Sequence, residues 1–155
     1  MPQRASDPTT SPTDQKGPEP AVIQALAQAC EDFGAESVER LALFQAAIVA
    51  SDLRVSRGES DGRLGVLAQN ATWGPAAARM DPYTAATVFL REARRVGSNG
   101  RSARSASRLA ARVQCGPGAW RHATVRRAAE RIIAGLAVVD LPVATRERAP
   151  LAADA

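Results

Sequence analysis

No run of this chain alternates apolar and polar residues for long enough to build a sheet, whereas apolar residues recur every three or four positions between glycine and proline breaks. That pattern specifies packed helices. Aromatic residues are only 4% of the chain against 45% hydrophobic overall, so the core must be Ala, Val, Leu and Ile at close helix-to-helix approach. The sequence therefore reads as all-α, with five to six helices and no internal repeat.

The breaks locate the elements. Residues 1–20 are rich in Pro, Thr, Ser and charge and read as a disordered arm; residues 21–139 read as one helical domain and 140–155, with Pro142 and Pro150, as a flexible tail. The first helix runs from Ala21 to Phe33 on Val22, Ile23, Leu26, Cys30 and Phe33, and Gly34 stops it. A second helix spans Glu36 to Ser51, with Glu36 and Glu39 near the positive end of its dipole. Gly58, Gly62 and Gly65 exclude a long helix over 54–65, and Val66-Leu67-Ala68 reads as a short strand or one helical turn. Pro75 to Met80 is a further helical turn.

Asp81-Pro82 is an N-cap followed by proline at the first helical position, and the helix it starts should face inward through Tyr83, Ala86, Phe89, Leu90 and Ala93. After Gly97-Ser98-Asn99-Gly100, Ser102 or Ser105 caps a helix carrying Ala106, Leu109, Ala110 and Val113. Gly116-Pro117-Gly118 breaks it from a last helix that opens at Trp120, passes Ala123, Ala128, Ile132 and Ile133, and ends near Gly135.

Charge is unevenly placed: residues 91–131 carry 11 basic and 2 acidic groups, a local excess of +9, while residues 1–90 carry 7 and 11. Arg91, Arg94, Arg95, Arg101, Arg104, Arg108 and Arg112 recur at helical spacing and form either a solvated face or a contact for nucleic acid or another anionic polymer. The first is the default, because a chain with a single lysine, Lys16, has an arginine skew that GC-rich coding alone produces. Cys30 and Cys115 lie far apart without a CxxC pair, and His122 alone would have to assist them, which excludes a zinc site. They read as buried structural cysteines, with a disulfide as the alternative; no cofactor or metal is expected. Ser51 and Ser60 lack a G-x-S-x-G context. No run is long and apolar enough to span a bilayer, and the start as given has no apolar leader. The expected location is cytoplasmic, or cell-wall or secreted if the start is truncated.

Ala50-Ser51-Asp52-Leu53-Arg54, then Gly58 to Gln69, then Trp73-Gly74, then Asp81-Pro82-Tyr83 through Phe89-Leu90 follow one another in a distinctive order. This order resembles bacterial lysozyme-like domains, related in fold to goose-type lysozymes and soluble lytic transglycosylases. The corresponding runs there are Q-E-S-G-L-R, G-D-x-D-S-x-G-L-F-Q-Q, W-G and D-P-x-Y-A-x-x-x-F-L. Val113-Gln114-Cys115 through Trp120 is similar to a later V-Q-R-S-A-F-P-D-A-Y run with two residues missing, so the resemblance covers about Ala21 to Leu136.

The resemblance implies a lysozyme-like bundle with a sugar groove over residues 52–73, and it also shows what is missing. The family's general acid is the glutamate of Q-E-S, matched here by Ala50; the first glutamine of G-L-F-Q-Q is matched by Ala68. Glycoside cleavage needs a protonated carboxyl at the leaving oxygen, and its loss typically lowers the rate about 10²- to 10⁴-fold. Asp52, Glu59 and Asp61 are the candidate replacement acids, against a solvated loop as the simpler account. Asp52, Arg54, Glu59, Asp61, Gln69, Trp73 and Tyr83 are the candidate groove residues, with Trp73 either a sugar platform or a core anchor. The expected function is a non-catalytic domain that holds peptidoglycan glycan strands or a protein partner. The alternatives are a helical nucleic-acid-binding protein using Arg91–Arg131 and an active muramidase with a displaced acid.

Overall fold

The computed structural model describes residues 17–55, 61–97, 103–114 and 123–139. Among them are six α-helices and no strand: α1 Pro20–Phe33, α2 Ser37–Ser51, α3 Ala76–Met80, α4 Pro82–Val96, α5 Ala103–Gln114 and α6 Ala123–Val139, with a 3-10 turn at Ala71–Trp73. The all-α expectation holds.

Local chemistry sets most of the helix ends. Gly34 closes α1 in the left-handed conformation at φ 65, and its N–H reaches the carbonyls of Cys30 and Glu31. Glu36 and Glu39 form a reciprocal capping box at the start of α2. The Asp81 carboxylate accepts from the Thr84 N–H at 2.9 Å and Pro82 takes the first position of α4.

Helix α2 is the central element, packed on α5, α6 and α4, while α1 lies along α4. Its middle is buried without interruption from Ala42 to Ala47, which no surface helix tolerates unless neighbours cover it on several sides. Alanine at 42, 46 and 47 lets those neighbours approach closely, and Leu26, Leu43, Phe44, Phe89, Leu90, Leu109 and Ala129 fill the space around them. One polar pair crosses this core: the fully buried Gln45 amide meets the Ser107 hydroxyl of α5 at 3.2 Å.

Four expectations are corrected. Residues 17–20, assigned to the arm, belong to the folded body: Pro20 begins α1 and the Glu19 N–H donates to the Leu53 carbonyl at 3.0 Å. Val66-Leu67-Ala68 is neither strand nor helix but the inside of a tight turn closed by a bridge between Leu64 and Gln69. Tyr83 does not face inward; at 37% exposure it stands on the first turn of α4, outside the apolar layer, and donates its hydroxyl to Asp32 of α1 at 2.8 Å. That hydrogen bond to a carboxylate pushes the tyrosine pKa up. Gly135 does not end α6, which continues to Val139; a glycine stops a helix by turning left-handed, and Gly135 stays inside it. Helix α5 begins at Ala103 and contains Ser105. Ser102, Trp120, His122, Cys115 and the tail from 140 lie outside the described residues.

Candidate functional site

The connection from α2 to α4 carries the site, and an arginine braces it. Helix α2 ends in two consecutive left-handed residues, Asp52 at φ 55 and Leu53 at φ 59, which turn the chain sharply so that the Leu53 side chain is fully buried. The Ser51 hydroxyl ties this corner to the next loop, donating to the Val66 carbonyl at 2.8 Å and accepting from the Arg54 N–H. Arg79 of α3, only 7% exposed, then holds the loop from within: its Nε donates to the Gly74 carbonyl and its Nη1 to those of Gly62 and Gln69, each at 2.9 Å. No carboxylate faces it among the described residues, so the cation is held by backbone dipoles. Gly65, at φ 79, sits so close to α3 that a Cβ there would lie 1.8 Å from the Arg79 carbonyl oxygen.

This frame presents the 3-10 turn. The Asn70 side chain caps it, accepting from the Thr72 N–H at 3.1 Å, and sets Trp73 half-buried against the core. With the tryptophan, Val88, Arg91, Glu92 and Arg95 of α4 and Val113 and Gln114 of α5 line a cleft of about 520 Å³. Gln114 also donates to the Leu67 carbonyl at 3.3 Å, linking α5 to the braced loop. Glu92 and Arg95 pair across one turn of α4, and the arginine holds the Glu92 carboxyl below the usual carboxylate range. Glu92 is thus ionised at neutral pH, the wrong form for a proton donor.

The two groups of residues singled out from sequence meet only partly. Trp73, Arg91 and Arg95 line the cleft together. Gln69 is buried and donates to the Ala85 carbonyl, so its side chain supports the loop instead of a ligand. Asp61 is exposed, accepts from the Arg63 N–H and pairs with the Arg63 side chain, as a solvated turn residue does. Asp52 is an exposed helix cap, and Arg54 faces Glu19 at 3.9 Å. Glu59 lies outside the described residues.

The basic face is divided as well. Arg94 points away from the cleft, paired with the buried carboxylate of Glu39 at 2.8 Å and stacked over the Phe33 ring. Arg108 and Arg112 are exposed on α5, and Arg112 reaches the Gly97 carbonyl. Arg101 and the Arg104 side chain lie outside the described residues.

Ala50 is half-buried in the last turn of α2. Glu39 is the one buried carboxylate among the described residues, and it lies eleven positions earlier on the same helix, about 16 Å along the axis. It belongs to the capping box and the Arg94 pair, so it does not replace an acid at position 50. Sequence reasoning missed Arg79, Asn70, Thr72, Glu92 and Gln114. Asn70 two residues before Thr72 carried a visible capping signal; the others depend on contacts between distant segments. A larger hollow of about 660 Å³ between α1, α2 and α6 is edged by Gln24, Gln28, the Glu31–Arg40 ion pair and Leu136, and holds no residue singled out from sequence. No family model, curated protein or solved structure matches this chain.

Proposed function

We propose that this chain is a lysozyme-like helical domain without hydrolytic power, which holds glycan strands, peptidoglycan by the resemblance, in the cleft beside Trp73. The observation that carries the reading is the half-buried indole on the cleft wall, which shares the cleft with the polar groups of Asn70, Thr72, Arg91 and Gln114. An indole face complements the C–H face of a sugar, and the amide, hydroxyl and guanidinium groups around it match sugar hydroxyls.

Two backbone positions add support. Asp52 occupies the place of the glycine in E-S-G-L-R and is left-handed, as that glycine would readily be; Gly65 occupies the place of the glycine in G-L-F-Q-Q, where only a residue without Cβ fits. Alanine at position 50, an ionised Glu92 and an exposed, cap-forming Asp52 favour retention of the glycan over its cleavage. The nucleic-acid alternative is weakened because the charges of Arg94 and Arg95 are already matched by Glu39 and Glu92. The location that fits this function is the cell wall.

Co-sedimentation of the full chain with insoluble peptidoglycan is the test. Retention should fall roughly 5- to 10-fold in Trp73→Ala, on the order of one aromatic contact, and a cell-wall suspension should not clear. Clearing that Asp52→Asn or Glu59→Gln abolishes would overturn the non-catalytic reading.

A further inference from the structure

We infer that the cleft selects a saccharide carrying a carboxylate, with Arg91 as the specificity-determining residue; this rests on the glycan-binding reading above. The argument is one of charge matching. Of the charged groups lining the cleft, Glu92 and Arg95 neutralise each other across one helical turn. Arg91, exposed one turn before Arg95 on the same helix, has neither a hydrogen-bond nor an ion-pair partner among the described residues. The cleft that Trp73 lines therefore holds one uncompensated guanidinium.

A neutral sugar gives that cation only hydroxyl oxygens, whereas a carboxylate on the ring or on a side arm gives it a paired, charge-assisted contact while the ring stays against the indole. A polyphosphate chain fits less well. One aromatic ring does not supply the succession of stacking platforms a single strand uses, and one uncompensated guanidinium does not match a run of phosphates. Carboxylates reach such a glycan from two sources, an acid substituent of the sugar itself or a peptide attached to it, and the two are separable.

The experiment measures retention of the full chain on three insoluble polymers: native peptidoglycan, the same material with its carboxyls amidated, and chitin as a neutral polymer. Wild-type protein should bind native peptidoglycan about two- to fivefold more tightly than either neutral polymer, the range for one exposed charge pair, and the difference should shrink as salt rises. Arg91→Gln should abolish the preference, lowering retention on native peptidoglycan more than retention on chitin. Arg108→Gln, which removes an exposed arginine outside the cleft, should keep it. Competition with soluble stem peptide assigns the carboxylate: a preference that survives places it on the sugar, and one that disappears places it on the peptide.

Equal wild-type affinity for all three polymers overturns the inference while leaving glycan binding intact. Equal effects of Arg91→Gln and Arg108→Gln, or displacement of the chain from peptidoglycan by an oligothymidylate, also overturn it. Retention on none of the polymers overturns the glycan-binding reading and this inference with it.

Discussion

Replacing Arg79 with alanine tests whether the loop that presents Trp73 is held by one buried cation. The side chain makes three hydrogen bonds at 2.9 Å to the Gly62, Gln69 and Gly74 carbonyls. Hydrogen bonds involving a charged group contribute about 1.5–3 kcal/mol each when buried. Gly62 is exposed, so water replaces its partner and that bond counts little; the two remaining bonds give about 3–6 kcal/mol. With a urea m-value of about 1.5–2 kcal/mol/M, the midpoint should fall by about 1.5–4 M. Arg79→Lys should recover less than half, because an ammonium on a flexible stem does not reproduce the planar fork. Both variants should also weaken peptidoglycan retention, since the turn carrying Trp73 loses its support. A midpoint shift equivalent to less than about 1 kcal/mol, or a lysine variant equal to wild type, would show that the loop is held by its apolar residues.

Three further outcomes follow from the same geometry. Gly65→Ala meets both a left-handed backbone and a carbonyl oxygen 1.8 Å away, and should lose about 2–5 kcal/mol in urea unfolding; a loss below 1 kcal/mol would mean α3 shifts freely. Asp52→Gly should gain about 0.5–1 kcal/mol at the same left-handed cap, whereas Asp52→Ala should gain nothing. Burial pushes the Cys30 thiol from its ordinary 9.0 up to about 11, with Arg40 nearby pulling the other way. The native state holds this proton more tightly than the unfolded chain, so its contribution is complete below pH 9 and disappears as pH rises through 11. In a Cys115→Ser background, stability should fall by about 2–3 kcal/mol over that interval, and Cys30→Ala should remove this part of the slope; identical pH profiles for the two proteins would refute it.

Much of the fold was readable because its signals are local. Asp81-Pro82 starts α4, Gly34 stops α1, and the stripe of Ala106, Leu109, Ala110 and Val113 does face the core. Tyr83 misleads because it shares the helical spacing of Ala86, Phe89, Leu90 and Ala93 but sits in the first turn of α4, beyond the layer that buries Phe89 and Leu90. Gly135 misleads because an isolated glycine stops a helix only when its backbone turns left-handed, and the packing of α6 on α2 keeps it helical. The site was less legible than the fold. Arginine abundance concealed that Arg79 differs from the solvated arginines, and only the meeting of Gly62, Gln69 and Gly74 around it reveals its role. Arg91 and Arg94, a single turn apart in sequence, part company in space: one stays open at the cleft and the other is taken by Glu39.

The most direct measurement of glycan holding is the emission of Trp73 itself. The chain has two tryptophans, so Trp120→Phe leaves Trp73 as the sole reporter. Titrated with soluble peptidoglycan glycan fragments, that protein should show a saturable shift in emission with the same midpoint as its retention on the insoluble polymer. Emission unchanged while the protein still sediments with peptidoglycan would place the sugar elsewhere and contradict the account.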